Sequence, residues 1–120
     1  LLDIFDYLRE RICFVESRGI SRSKIIIDPG IGFGKTELQN LNILKNISLF
    51  HTLGCPILVG VSRKKFIGNI TGEKTPSSRM VGSTFLAGEL IKQGVQVVRV
   101  HDISDTNQVV KIFNRLMSVE

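Results

Sequence analysis

Leu1, Ile4, Leu8, Ile12 and Val15 recur every three or four residues, which predicts an amphipathic helix that Gly19 ends. KIIID (24–28) is a short apolar run closed by Asp-Pro-Gly and predicts a buried strand. A second helix is expected from Thr36. Thr36 and Gln39 have the spacing of a capping box, in which hydroxyl and amide each satisfy a free backbone N–H. Leu38, Leu41, Leu44, Ile47 and Phe50 then form one apolar face, and Gly54 stops it. PILVGVS (56–62) reads as a second buried strand, and the polar stretch 68–78 reads as an exposed loop. The next helix holds Met80, Leu86, Leu90 and Ile91, with Gly82, Ser83, Ala87 and Gly88 small enough to admit a neighbouring helix. VQVVRVHD (95–102) predicts the third strand. A last helix from about Asp105 carries Val109, Ile112, Phe113 and Leu116 on one side.

Apolar strands alternating with amphipathic helices predict a parallel sheet covered by helices. Periodicity does not separate a doubly wound sheet from part of a (β/α)8 barrel, but the polar residues favour the barrel. Asp28, Ser62-Arg63-Lys64 and Arg99 with His101 all fall at the C-terminal ends of strands, and three strands delivering chemistry to one rim is the barrel arrangement.

The 120 residues are enough for one small domain with a core. The opening LLDIFDYLRE has no Met, is acidic and amphipathic, and starts mid-pattern, so it is expected to be the interior of a longer chain. No apolar run reaches about 18 residues, so no membrane span is expected. The net charge of +5 raises the question of nucleic acid. The basic residues are scattered, however, and with no Trp and a single Tyr a base-stacking surface is poorly supplied. The one basic run, Arg63-Lys64-Lys65, suits a small anionic substrate better. Cys13 and Cys55 lack metal or disulfide spacing and are expected as reduced core thiols of a cytoplasmic protein.

DPGIGFGKT (28–36) imitates a phosphate-binding loop, but only three residues separate Gly30 from Gly34, and Pro29 stands where the motif needs Gly. Asp28 is either a turn cap or a carboxylate offering two oxygens to the paired N–H groups of a guanidine-like ring edge. Gly30, Gly32 and Gly34 allow close approach of a flat ligand, and Phe33 either folds onto the core or presents its ring to that ligand. Lys64 is either a surface lysine or the partner of an anion or carbonyl. Arg99 and His101, two apart on one strand, leave the same face, with Val98 and Val100 on the other. An inward Arg needs a partner, and Arg with His suits phosphate or pyrophosphate. His51 has no partner at ligand spacing and is expected at the surface.

Together, DPGIGFGK with Asn40 following, GVSRKKFIG, PSSRMVGS and RVHD resemble the dihydropteroate synthase family in order and spacing over nearly the whole chain. The resemblance implies an α/β (β/α)8 barrel. Residues 1–120 would be the C-terminal part of that single pterin-binding domain: its last three strand–helix units after a preceding helix. It implies condensation of p-aminobenzoate with 6-hydroxymethyl-7,8-dihydropterin pyrophosphate, giving 7,8-dihydropteroate and pyrophosphate, with Mg²⁺ held by a residue outside this chain. Asp28, Lys64 and Arg99 would bind the pterin. Arg99 and His101 would hold the pyrophosphate, and Lys64, Arg99 and His101 would carry the catalysis. Gly32, Phe33, Ser62, Lys64 and Lys65 would line the p-aminobenzoate pocket, although some relatives have Ser where Lys65 stands. A cytoplasmic homodimer paired through the last two helices is implied, with no membrane or nucleic-acid partner. A barrel of this kind takes about 250 residues, so this segment alone is expected to be inactive and poorly stable.

The nearest alternative is a pterin-binding methyltransferase domain using methyltetrahydrofolate, which has no need of the SRK and RVHD segments for pyrophosphate. Two others are a nucleotide-driven switch using Gly34-Lys35-Thr36, and a silent barrel part that assembles through the helix around residues 82–88.

Overall fold

Ile57, Val59 and Val61 are buried almost completely, and they alternate with Leu58, Gly60 and Ser62 along one strand. This two-residue period puts Ile57, Val59 and Val61 in the core under the helices and turns Leu58, Gly60 and Ser62 to the opposite face. The computed structural model describes residues 1–120. Its regular elements are α1 (Leu2–Ser17), α2 (Glu37–Lys45), β1 (Leu58–Gly60), α3 (Lys65–Thr71), α4 (Met80–Lys92), β2 (Val97–Arg99) and α5 (Ile103–Met117). Strands β1 and β2 are parallel, pairing Leu58 with Val97, Val59 with Val98 and Gly60 with Arg99. The core runs from Leu8 and Ile12 of α1 through Ile43, Ile47 and Phe50 to the buried row of β1 and Leu90 of α4. No helix is long and apolar enough to cross a membrane.

The segment 24–28 forms one parallel bridge, Ile27 to Ile57, rather than a regular strand. Ile27 N–H donates to Pro56 O and Leu58 N–H to Ile27 O. The ladder cannot extend, because Pro56 has no N–H to return, Pro29 follows closely, and Ser21 caps a 3-10 turn over Arg22–Lys24.

The helix expected from Thr36 to Gly54 is really two elements. Its start is as predicted, with both bonds of the Thr36–Gln39 capping box formed. At Asn46 the α-helix stops, and the Asn46 amide turns back to Asn42. A 3-10 helix follows over Ile47–Leu53. Its buried residues Ile47, Phe50 and Leu53 are spaced by three, the period of a 3-10 turn. The expected face is corrected at one residue: Leu38 is exposed, Leu44, Ile47 and Phe50 are buried as expected, and Asn40 and Ile43 are buried with them.

The stretch 68–78 is not an open loop. Phe66 and Ile67 bury themselves and draw the chain into α3, which runs to Thr71, and a 3-10 turn occupies Pro76–Arg79. The small residues of α4 are used inside the chain: a Cβ on Gly82 would strike Ile67 of α3, and one on Gly88 would press on Val109 of α5. Helix α5 packs through Thr106, Val109, Val110 and Phe113, leaving Ile112 and Leu116 exposed. Cys55 is a buried free thiol, but Cys13 is exposed, on the outer side of α1. His51 is half-buried rather than a surface residue, with Nε2 2.8 Å from the carbonyl oxygen of Gln93.

Candidate functional site

The C-terminal ends of the three parallel segments converge. From the first, Asp28 turns its Oδ1 back onto the N–H of Gly30 at 2.8 Å, so the turn-cap role is realised. Asp28 is exposed, and its second oxygen has no partner within the chain. The glycine loop that follows is fixed from two sides. Buried Asn40 accepts the N–H of Gly32 at 2.8 Å. Lys35 Nζ donates to the carbonyls of Gly30 at 2.7 Å and Phe33 at 3.0 Å. The lysine of the apparent phosphate motif is therefore occupied with the loop's own carbonyls, and the nucleotide-switch alternative loses its key cation.

Phe33 does not fold onto the core. It is 66% exposed, and Lys64 Nζ lies 4.5 Å from its ring centroid, within cation–π range. Lys64 also donates to the carbonyl of Ile31. Its stem passes over Gly32, which has φ +83°, and a Cβ there would come within 2.9 Å of Lys64 Cδ. Burial pulls the Lys64 pKa below the usual lysine range, and the charges of Arg99 and Lys35 add to this while Asp28 opposes it.

Arg99 projects from β2 onto the face opposite the core, and its guanidinium lies across Gly60, its register partner on β1. Val98 packs on the core side, as the alternation predicts. His101 is tied to the end of β1 through Ser62, whose Oγ accepts the His101 backbone N–H at 3.2 Å and lies 2.8 Å from Nδ1.

Two cavities flank Lys64. One of about 320 Å³ is lined by Gly60, Ser62, Lys64, Arg99, Val100 and His101. The other, about 310 Å³, includes Gly32, Phe33, Lys64 and Lys65 in its lining. Lys64 is thus the wall common to both, and Ser62 lies on the arginine side rather than with Phe33. Asp28 lines neither.

Residues to which the sequence assigned no structural role hold this rim, and Arg63, expected with Lys64 and Lys65 to face an anionic substrate, is one of them. Arg63 is ion-paired with Asp102 at 2.8 Å. This contact raises the Arg63 pKa and lowers that of Asp102. Arg79 spends its three kinds of guanidinium nitrogen on the carbonyls of Arg63, Glu73 and Lys74. The signal was present in the charges flanking the candidates, Arg63 beside Lys64 and Asp102 beside His101. No three His, Cys, Asp or Glu side chains gather to hold a metal ion. The rim is cationic and its two carboxylates are engaged, Asp28 capping Gly30 and Asp102 paired with Arg63, so this donor set does not suit a Mg²⁺ ion, which calls for oxygen ligands.

Parallel strands under helices, with Lys64, Arg99 and His101 gathered at their C-terminal ends, define an α/β protein with a cationic cleft. Residues 3–101 match the model of the pterin binding enzyme family. The chain belongs to that family. It is 36% identical over 114 residues to the dihydropteroate synthase of Escherichia coli K12, a match covering 95% of this chain and 40% of that protein. It is 41% identical over 98 residues to the Synechocystis dihydropteroate synthase, covering 82% and 34%. The solved dihydropteroate synthase of Xanthomonas albilineans with 4-aminobenzoic acid superposes with a TM-score of 0.97 at 34% identity, covering 99% of this chain and 44% of that one. The same enzyme in complex with 7,8-dihydropteroate gives the same TM-score. The chain spans about 40% of the length of the curated relatives it matches.

Proposed function

We propose that this chain forms the cationic rim of a dihydropteroate synthase. The reaction joins p-aminobenzoate to 6-hydroxymethyl-7,8-dihydropterin pyrophosphate. The aniline nitrogen bonds to the pterin methylene carbon, the carbon–oxygen bond to pyrophosphate breaks with its electron pair, and the nitrogen loses one proton to solvent. The observation that carries this reading is Lys64 standing between two cavities, one gathering Arg99 and His101 and the other presenting Phe33 and Gly32.

In this reading the Arg99 side receives the pterin and its pyrophosphate. Arg99 and His101 stabilise the negative charge that develops on the leaving group, where fixed cations act most strongly. The Asp28 oxygen left free by its cap accepts from the ring edge of the pterin. Phe33, Gly32 and Lys65 form the aminobenzoate side, with Lys65 available to its carboxylate. The chain's main contribution is positioning two flat reactants on either side of Lys64. The relatives solved with 4-aminobenzoic acid and with 7,8-dihydropteroate support this assignment.

The three parallel segments are read as the last strands of a (β/α)8 barrel. The face opposite the core exposes Ile26 and Val97, which further strands would cover. Val81 and Phe85 on α4 and Ile112 and Leu116 on α5 are exposed, which suits a homodimer through these helices.

A chimera tests the function. The stretch of the Escherichia coli enzyme that matches this chain is replaced by it, and pyrophosphate release is followed with both substrates. The proposal predicts release that depends on p-aminobenzoate and vanishes with Arg99→Ala. A folded chimera that binds the pterin pyrophosphate but forms no 7,8-dihydropteroate would refute it.

A further inference from the structure

Arg63 is the one non-glycine residue with positive φ, at +58°. An arginine enters this region only when its surroundings hold it there. Three bonds do so. Its N–H donates to Ser83 Oγ at 2.9 Å. Its carbonyl accepts from Arg79 Nη1 at 2.9 Å. Its guanidinium grips Asp102 through both Nη2, at 2.8 Å, and Nε, at 3.4 Å. Ser83 Oγ in turn donates to the carbonyl of Arg79 at 2.7 Å, closing a ring between the end of β1 and the start of α4. Asp102 is itself anchored, because its carbonyl accepts the N–H and hydroxyl of buried Thr106 in the first turn of α5.

The consequence lies in the neighbours. Ser62 and Lys64 flank Arg63, and His101 precedes Asp102. The left-handed turn at Arg63 lets Ser62 face His101 while Lys64 reaches across to Ile31 and Phe33. The ion pair fixes the separation of the two strand ends that carry these groups.

We propose that Arg63 is a positioning residue. Through its left-handed backbone and its ion pair with Asp102, it sets the register between Ser62–Lys64 and Arg99–His101. This rests on the proposed function only in identifying what the rim binds. The Asp102 carboxylate makes no helix-capping bond, so replacing it removes the ion pair without removing a cap.

The experiment compares four variants, Arg63→Ala, Arg63→Gly, Asp102→Ala and the double Arg63→Ala/Asp102→Ala, with wild type and with Arg99→Ala as the control for pyrophosphate binding, all in the full-length protein. Calorimetry with inorganic pyrophosphate gives affinity, thermal unfolding gives stability, and ¹⁵N signals of the His101 ring report its bond to Ser62. Arg63→Ala and Asp102→Ala are each expected to weaken pyrophosphate binding by about fivefold or more, and the double variant no further, as for two residues in one ion-paired network. Arg63→Gly accepts the positive φ freely, so it unfolds at a higher temperature than Arg63→Ala while binding as weakly. The His101 signals move in all four variants. Additive losses, Arg63→Gly with wild-type affinity, or unmoved His101 signals would each overturn the inference. If wild type and Arg99→Ala bind pyrophosphate equally poorly, the proposed function fails instead, and the His101 signals still decide the role of Arg63.

Discussion

Gly60 and Arg99 are register partners across β1 and β2, and the guanidinium of Arg99 occupies the space a side chain on Gly60 would fill. A Cβ at Gly60 would come within 2.8 Å of Arg99 Nε and 2.9 Å of Nη2. The displaced atoms are the far end of a flexible side chain, so the backbone need not move. Gly60→Ala is therefore expected to change stability by less than about 1 kcal/mol. Affinity for the pterin pyrophosphate falls by about tenfold or more, because a shift near 1 Å in a positioning group is costly. Calorimetry and a denaturant titration on one variant separate the two effects.

Lys64 carries the pH prediction. Its pKa lies below the ordinary lysine value because of burial, then Arg99, with Lys35 adding and Asp28 opposing. A lowered lysine pKa means that folding disfavours the cation. The cost is fully present below the folded pKa and is relieved as pH rises from there to the unfolded value near 10.4. Competitive labelling with an amine reagent should therefore show Lys64 reacting at lower pH in the folded protein than in the denatured chain. Arg99→Ala moves its profile up in pH, and Asp28→Asn moves it down. An identical Lys64 profile in the folded protein, the denatured chain and both variants would contradict this electrostatic picture.

Lys35 and Asn40 hold the glycine loop, and their loss has different signatures. Asn40→Leu leaves the Gly32 N–H without its acceptor and is expected to cost about 1–3 kcal/mol, read as a lower unfolding midpoint. Lys35→Ala removes two exposed or half-buried bonds and costs about 1 kcal/mol or less. Its effect is local, as faster amide exchange at Phe33 and Gly34. Neither wild type nor variant is expected to bind ATP or GTP, and Lys35-dependent nucleotide binding would reverse that reading.

The α/β order, the Thr36–Gln39 cap and the alternation at Val98–Arg99 were legible in the sequence because each is a local pattern. What escaped it depends on distant partners. The break at Asn46 follows from a turn back to Asn42 and a three-residue burial period that also reads as a helix face. Helix α3 was hidden because it is short, mixes polar residues evenly with Phe66, Ile67 and Ile70, and Phe66 and Ile67 find their core only in three dimensions. The two candidate clusters were legible as residue types at strand ends. The bonds that align them, Arg63 to Asp102 and Ser62 to His101, join residues 39 apart and leave no periodic trace.

The most direct measurement of the central claim is calorimetry of the full-length protein with 6-hydroxymethyl-7,8-dihydropterin pyrophosphate, comparing wild type with Asp28→Asn and Arg99→Ala. The account predicts binding by wild type. Asp28→Asn should lose about tenfold or more, since a charge-assisted pair to the ring edge is removed. Arg99→Ala should lose at least as much, with most of its deficit also seen for inorganic pyrophosphate. Wild-type affinity in both variants would contradict the assignment of this rim to the pterin pyrophosphate.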